Sequence, residues 1–312
     1  MIQEQLLKEI ENSYIQRDLD KLYSFVKPLK REINKKQNYK SVLMLSCNNI
    51  KHLSKLDKLD SDAIILNLED GVSEEEKPFA LILCAIFLSL NTKTNKKLIV
   101  RVNALDEGGY DEILYLNQFM PDAIRVPKIK TPKEVKSILE ILDKNIELHL
   151  SIETKESWNN LFSLKVNDRV KTFYLGIFDL FADMNLSQNL INLENPTMSY
   201  ILTHFLISCK SIEVKPVSFV YQDYKNLEQF SKWIELEKSM GYDSKGCISP
   251  KQVELVNKIF SFESIEIEKA QKIKVLFEKN RANGITGFTD EEFGFIDEPI
   301  YKGALVMLEK FK

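Results

Sequence analysis

Histidine, glycine and cysteine are all scarce in this chain of 312 residues, and each shortage removes a class of chemistry. The three histidines (His52, His149, His204) form no HxH or HExxH arrangement, which excludes a histidine-rich zinc centre. The four cysteines (Cys47, Cys84, Cys209, Cys247) lie far apart without a CxxC pair, which favours free thiols over a zinc cluster or disulfide framework. Any metal must then be a hard ion bound through oxygen. Glycine occurs ten times, with no GxGxxG or P-loop pattern, so dinucleotide or nucleoside-triphosphate binding through those motifs is disfavoured. The most apolar stretch, Ala80–Leu90, is about half the length that spans a bilayer. The opening run Met1–Glu9 lacks the apolar core of a secretory signal, so a cytoplasmic protein without a membrane partner is expected. Basic residues are spread along the chain and the net charge is −3, which gives no surface for tracking nucleic-acid phosphates.

What is present is ordinary in amount and informative in order. Hydrophobic residues make up 44% and charged residues 29%, enough for a soluble globular fold with a substantial core. Residues 1–39 contain no glycine and place Leu6, Leu7, Ile10, Tyr14, Ile15, Leu22, Phe25 and Val26 at helical spacing, predicting one or two amphipathic helices. From residue 40 the pattern changes to short apolar runs: Ser41–Leu45, Ala63–Leu68, Leu98–Val102, Ala123–Val126, Ile146–Ile152, Thr172–Leu175, Val217–Tyr221 and, more weakly, Lys245–Ile248. Charged stretches of helical periodicity, such as Pro132–Leu142 and Asn226–Met240, separate them. Buried strands alternating with helices predict a parallel sheet, and eight of them suit an α/β fold of the (β/α)8 TIM-barrel type. The expected division is a helical extension over 1–39, the barrel over 40–262 and a C-terminal helical or lid segment over 263–312.

Distinctive polar residues fall at the ends of these runs. Glu69 and Asp70 follow the second, Arg101 lies in the third, Lys128 follows the fourth, Glu153 the fifth and, after Gly176, Asp179 the sixth. In a barrel such positions converge on the C-terminal face, where active sites of this architecture sit. Two carboxylates on neighbouring strand ends suit Mg2+, which keeps several waters and takes few protein ligands. An arginine beside them can grip a carboxylate or offset a developing oxyanion. An acid just past a strand also serves as a plain helix N-cap, and a lysine beside Pro127 as a solvated loop residue.

The same residues carry a resemblance. Ala63-Ile64-Ile65-Leu66-Asn67-Leu68-Glu69-Asp70-Gly71-Val72 followed by Glu76-Lys77-Pro78 resembles the "DAVILDLEDAV…EKP" segment of the citrate lyase β-subunit and malyl-CoA lyase group, relatives of the 4-hydroxy-2-oxo-acid aldolases. Val100-Arg101-Val102-Asn103 is similar to its "VRVN", Val126-Pro127-Lys128 to its "LPK" and Ile152-Glu153-Thr154 to its "IET". Gly176–Asp183 is similar to its "GAEDLAADLG" and Gly241–Gln252 to its "GFDGKLAIHPSQ". The resemblance implies a Mg2+-dependent carbon–carbon lyase on a (β/α)8 barrel, commonly a homotrimer, acting on a small carboxylate or acyl-CoA. It implies Glu153 and Asp179 as metal ligands, Arg101 as the substrate arginine, and Glu69, Asp70 and Lys128 as supporting or substrate residues. Gly294-Phe295-Ile296-Asp297-Glu298-Pro299 resembles the family's C-terminal "GxMIDxP", which closes over a neighbouring subunit's site, and implies Asp297 as the general acid/base. Asp297 also reads as the cap of a terminal helix.

Several framing positions depart from the family pattern. Ser46-Cys47-Asn48 stands for the substrate- or CoA-positioning "PGN", leaving Ser46 and Asn48 as the residues at that place. Ser249 replaces a histidine, Ser218-Phe219 replaces "DG", Phe178 replaces an acid and Leu81 an arginine. Three functions therefore stay open: a hydroxyacyl-thioester lyase, an aldolase that releases pyruvate from free keto acids, and a non-catalytic binding or assembly paralogue.

Overall fold

The computed structural model describes residues 4–27, 31–261 and 264–311. The first three residues of the opening run and the expected boundary after 262 lie outside them. Two compact units are formed, residues 1–259 and 260–312.

In the first unit eight parallel strands lie in the order β7-β6-β5-β4-β3-β2-β1-β8. They are β1 (Ser41–Ser46), β2 (Ala63–Asn67), β3 (Lys97–Arg101), β4 (Ala123–Val126), β5 (Glu147–Ile152), β6 (Val170–Leu175), β7 (Lys215–Val217) and β8 (Lys245–Cys247). The two outer strands meet through a parallel bridge between Ser218 and Lys245, so the sheet curls into a (β/α)8 barrel. That seam needs Gly246, because a Cβ there would stand 2.8 Å from Val220 Cγ2. The predicted strands agree closely except the seventh, which spans Lys215–Val217 rather than Val217–Tyr221. After Val217, Phe219 is buried and Tyr221 half-buried for another reason. Phe219 meets Trp233 edge-on with centroids 5.1 Å apart, and Tyr221 stacks on Phe230 at 5.9 Å. They pack the loop onto a helix instead of extending the sheet.

The helices are α1 (Glu4–Ile15), α2 (Leu19–Ser24), α3 (Ile50–Leu53), α4 (Lys77–Leu90), α5 (Gly109–Leu116), α6 (Pro132–Ile141), α7 (Lys155–Asn159), α8 (Ile177–Asp183), α9 (Pro196–Ser211), α10 (Leu227–Met240) and α11 (Pro250–Ile259). Their starts follow local chemistry. Thr131 and Thr154 form capping boxes with Glu134 and Ser157, and Asn49, Asn195 and Asn226 cap α3, α9 and α10. Helix α4 is the apolar stretch seen in the sequence, and it is buried along almost its whole length. The N-terminal segment covers it: Tyr14 and Arg17 bond Glu76, the Arg17 guanidinium lies 3.7 Å over the Phe79 ring, and Arg31 reaches Asn91 and Asp122. Of the N-terminal stripe, Ile10 and Leu22 are buried while Ile15 stays exposed.

The second unit holds α12 (Ser264–Ala282), an antiparallel hairpin of β9 (Gly287–Asp290) and β10 (Gly294–Asp297), and α13 (Glu298–Phe311). Its core is Ala270, Ile273, Phe277, Ile296 and Ala304, with Tyr301 stacked on Phe277 at 4.5 Å. The hairpin is additional to the helical segment expected here. No helix among the described residues is long and apolar enough to cross a membrane.

Candidate metal and substrate site

Side chains alternate across each strand, so every second residue points into the barrel. The interior register runs Asn67, Arg101, Arg125, His149, Thr172 and Lys215 across six adjacent strands, a polar row where an apolar one would pack more simply. Below it, towards the strand starts, Lys97 and Glu147 form a buried pair at 2.6 Å, and His149 Nε2 lies 3.3 Å from Glu147. Burial holds His149 down to about 4, against the pull of Glu147. Above the row, at the C-terminal ends of the strands, a cavity of about 300 Å³ opens. Asp70, Arg101, Arg125, Glu153 and Asp179 line it, with Met44, Phe178, Val220, Gln222 and Ile248 among the other walls.

Glu153 is buried at the end of β5, directly before the cap residue Thr154, so it is not itself a cap. Its Oε1 accepts the backbone N–H of Lys128 at 2.6 Å. Lys128 presents that N–H from the left-handed region (φ 53°), a conformation that costs a non-glycine residue energy. On the other side Gly176 leaves the space: a Cβ there would lie 2.6 Å from Glu153 Cβ and 2.7 Å from Oε2. Burial raises the Glu153 pKa, Arg101, Arg125 and the Lys128 N–H pull it back, and the Asp179 charge pushes it up again. Asp179 sits in the first turn of α8.

The donor set fits a hard divalent cation. Glu153 Oε2 and both oxygens of Asp179 have no hydrogen-bond or ion-pair partner among the described residues, and both carboxylates face one cavity. Among those residues no group of three His, Cys, Asp or Glu makes a ready cage. Mg2+ suits such a pair because water and substrate oxygens complete its shell.

Arg101 lines the same cavity and is ion-paired with Glu69 and, at 3.2 Å, with Asp70. Glu69 is buried without a well-directed hydrogen bond to either oxygen, and burial pushes its pKa up to about 7 despite Arg101. Glu69 and Asp70 are thus engaged with the arginine. The Lys128 ammonium stands 3.7 Å from Glu69 and 3.9 Å from Glu107. Ser46 donates to Asn48 at 2.7 Å at the end of β1, and neither lines the cavity. Ser249, at the histidine's place, accepts from the Gln252 N–H at 3.3 Å and caps α11. Asp297 belongs to the second unit, where its carboxylate accepts the Ile300 N–H at 3.2 Å and caps α13.

Sequence reading missed Arg125 and Gln222. Arg125 falls inside an apolar run, Ala123-Ile124-Arg125-Val126, and the run's hydrophobicity hid an inward cation. Its place directly beside Arg101 is set by the register of the paired strands, which no local pattern in the sequence shows.

Residues 40–250, well over half of the chain, match the family model described as HpcH/HpaI aldolase/citrate lyase. A (3S)-malyl-CoA thioesterase of Cereibacter sphaeroides is 27% identical over 247 residues, covering 79% of this chain and 85% of the relative. Citrate lyase subunit beta of Leuconostoc mesenteroides is 25% identical over 252 residues, covering 77% and 82%. The fold is shared with protein CitE of Mycobacterium tuberculosis, solved with magnesium, acetoacetate and coenzyme A: TM-score 0.67, 18% identity, 87% of this chain and 97% of that one.

Proposed function

The chain belongs to the HpcH/HpaI aldolase/citrate lyase family, and on that premise we propose that it is a Mg2+-dependent lyase that reversibly cleaves a hydroxyacyl thioester. The observation that carries the proposal is the pair of carboxylates, Glu153 and Asp179, with free oxygens lining one cavity beside two arginines. Glu153 and Asp179 hold the cation. When bound, it supplies Lewis acidity toward the substrate's carboxylate and carbonyl oxygens. The Lys128 N–H and the space left by Gly176 fix Glu153 in place. Arg101, oriented by Glu69 and Asp70, offsets negative charge as the bond between the acyl α-carbon and the hydroxyl-bearing carbon breaks. That step releases the hydroxyl proton and leaves the α-carbon to take one up, and Asp297 is assigned this transfer, delivered by the C-terminal unit of a neighbouring copy in a homotrimer.

The test is a titration with Mg2+ alongside an assay for thioester cleavage. Glu153→Gln and Asp179→Asn should each weaken Mg2+ binding at least about tenfold, and EDTA should stop turnover. Unchanged affinity and turnover in either variant overturns the ligand assignment. The name of the Cereibacter relatives favours a second reading, hydrolysis of the thioester itself. It gives the intact hydroxy acid and no carbonyl fragment, so the products decide between the two.

A further inference from the structure

The two arginines of the cavity are balanced unequally. Arg101 and Arg125 are register partners on neighbouring strands, like charges side by side, an arrangement that needs compensation. Arg101 has it from Glu69 and Asp70. Arg125 has no carboxylate within ion-pair reach among the described residues. Its Nε donates to the neutral Ser151 hydroxyl at 2.9 Å, and its guanidinium lies 4.2 Å over the Tyr174 ring. The Tyr174 hydroxyl is in turn placed 3.3 Å from His149 Nδ1. These contacts fix the plane of the guanidinium and leave its Nη groups without an acceptor among the described residues. Glu153 and Glu69 act on it only through space, so the buried charge is under-compensated, and its place on the cavity wall makes a ligand anion the group that can offset it.

We propose that Arg125 is a specificity-determining residue that grips a second carboxylate on the small-acid fragment, so that the site takes an oxo-dicarboxylate in preference to a monocarboxylic oxo acid. The inference rests on the lyase reading of the same cavity and names the fragment that reading leaves open. In that reading the first carboxylate and the oxo group are met by the cation on Glu153 and Asp179 and by Arg101. A further anion would be repelled by Glu69, Asp70, Glu153 and Asp179 unless a dedicated cation faced it. A planar guanidinium pre-oriented by Ser151 and Tyr174 offers a carboxylate two parallel hydrogen bonds.

The test compares binding of oxaloacetate and pyruvate to the full chain by calorimetry, in EDTA and again in Mg2+, for the wild type, Arg125→Met and Arg125→Lys. The wild type should prefer oxaloacetate at least about tenfold in both buffers. Arg125→Met should lose that preference and leave pyruvate affinity within about twofold of the wild type. Without ligand it should melt a few degrees higher, because an under-compensated charge has gone; a purely structural arginine would give a lower melting temperature. Arg125→Lys, which keeps the charge without the fork, should retain part of the preference and covers the case in which the methionine variant does not fold. The inference is overturned if Arg125→Met still prefers oxaloacetate, or if the wild type binds the two acids equally. Equal binding alongside Mg2+-dependent cleavage removes only this inference. A preserved preference without any cleavage removes the lyase reading and leaves the anion site standing.

Discussion

Gly176→Ala isolates how Glu153 is held. The backbone at Gly176 has φ −87° and ψ 71°, close to the inverse γ-turn minimum that L-residues adopt, so the effect of alanine there is chiefly steric. The added methyl would stand 2.6 Å from Glu153 Cβ, an atom fixed to a buried strand end, and 2.7 Å from Oε2. A flexible tip could swing aside, but Cβ cannot move without its strand. Overpacking of this kind costs about 1–3 kcal/mol. At about 2–4 °C per kcal/mol for a domain of this size, the melting temperature should fall by roughly 2–12 °C. The displaced carboxylate should also weaken Mg2+ binding by about 10- to 100-fold. Calorimetric melting and Mg2+ titration read the two effects separately. Gly303→Ala is the control: it lies within α13 with nothing within 4 Å of the new Cβ, and should be neutral or stabilising by up to about 1 kcal/mol. If Gly176→Ala keeps both the melting temperature and the Mg2+ affinity of the wild type, the packing argument for Glu153 is wrong.

Two more predictions concern the barrel's buried charges. His149 is held at about 4 in the fold against about 6.5 unfolded, so its contribution is complete above pH 6.5 and is lost as pH falls towards 4, worth roughly 3 kcal/mol. Glu69, raised to about 7, acts in the opposite direction over the same range, so the measurement is the stability difference between wild type and His149→Gln by urea unfolding. The wild type's advantage should shrink between pH 7 and pH 4, and a pH-independent difference refutes the assignment. At the barrel seam Lys245 and Glu237 form a fully buried pair at 2.6 Å, with Ser218 donating to the same carboxylate. Glu237→Leu should cost about 3–5 kcal/mol, and adding Lys245→Met should restore more than half of it. Simple additivity in the double-mutant cycle would show that the pair is not a unit.

Much of the site was legible because strand ends are fixed by position along the chain. An apolar run of five residues followed by Glu-Asp, Pro-Lys or Glu-Thr places those groups on one rim wherever the strands sit, provided they are parallel. Glu69, Asp70, Arg101, Lys128, Glu153 and Asp179 were all read in that way; Asp70, Arg101, Glu153 and Asp179 line the cavity, and Glu69 and Lys128 contact Arg101 and Glu153 beside it. Their pairings were not legible. That Glu69 and Asp70 hold Arg101, and that Lys128 serves Glu153 through its backbone N–H, depends on neighbouring strands lying side by side in register.

By itself the sequence determined the strand–helix alternation, the helix caps and the order of polar groups along the rim, since each is set by residues within a few positions of one another. Tertiary structure decided what long-range packing controls. It placed Phe219 and Tyr221 on α10 rather than in the sheet, turned Arg125 inward beside Arg101 with no carboxylate in contact among the described residues, and brought Gly176 against Glu153 and Gly246 against Val220. Periodicity records which face of an element is apolar. Only closure of the barrel sets which charge meets which.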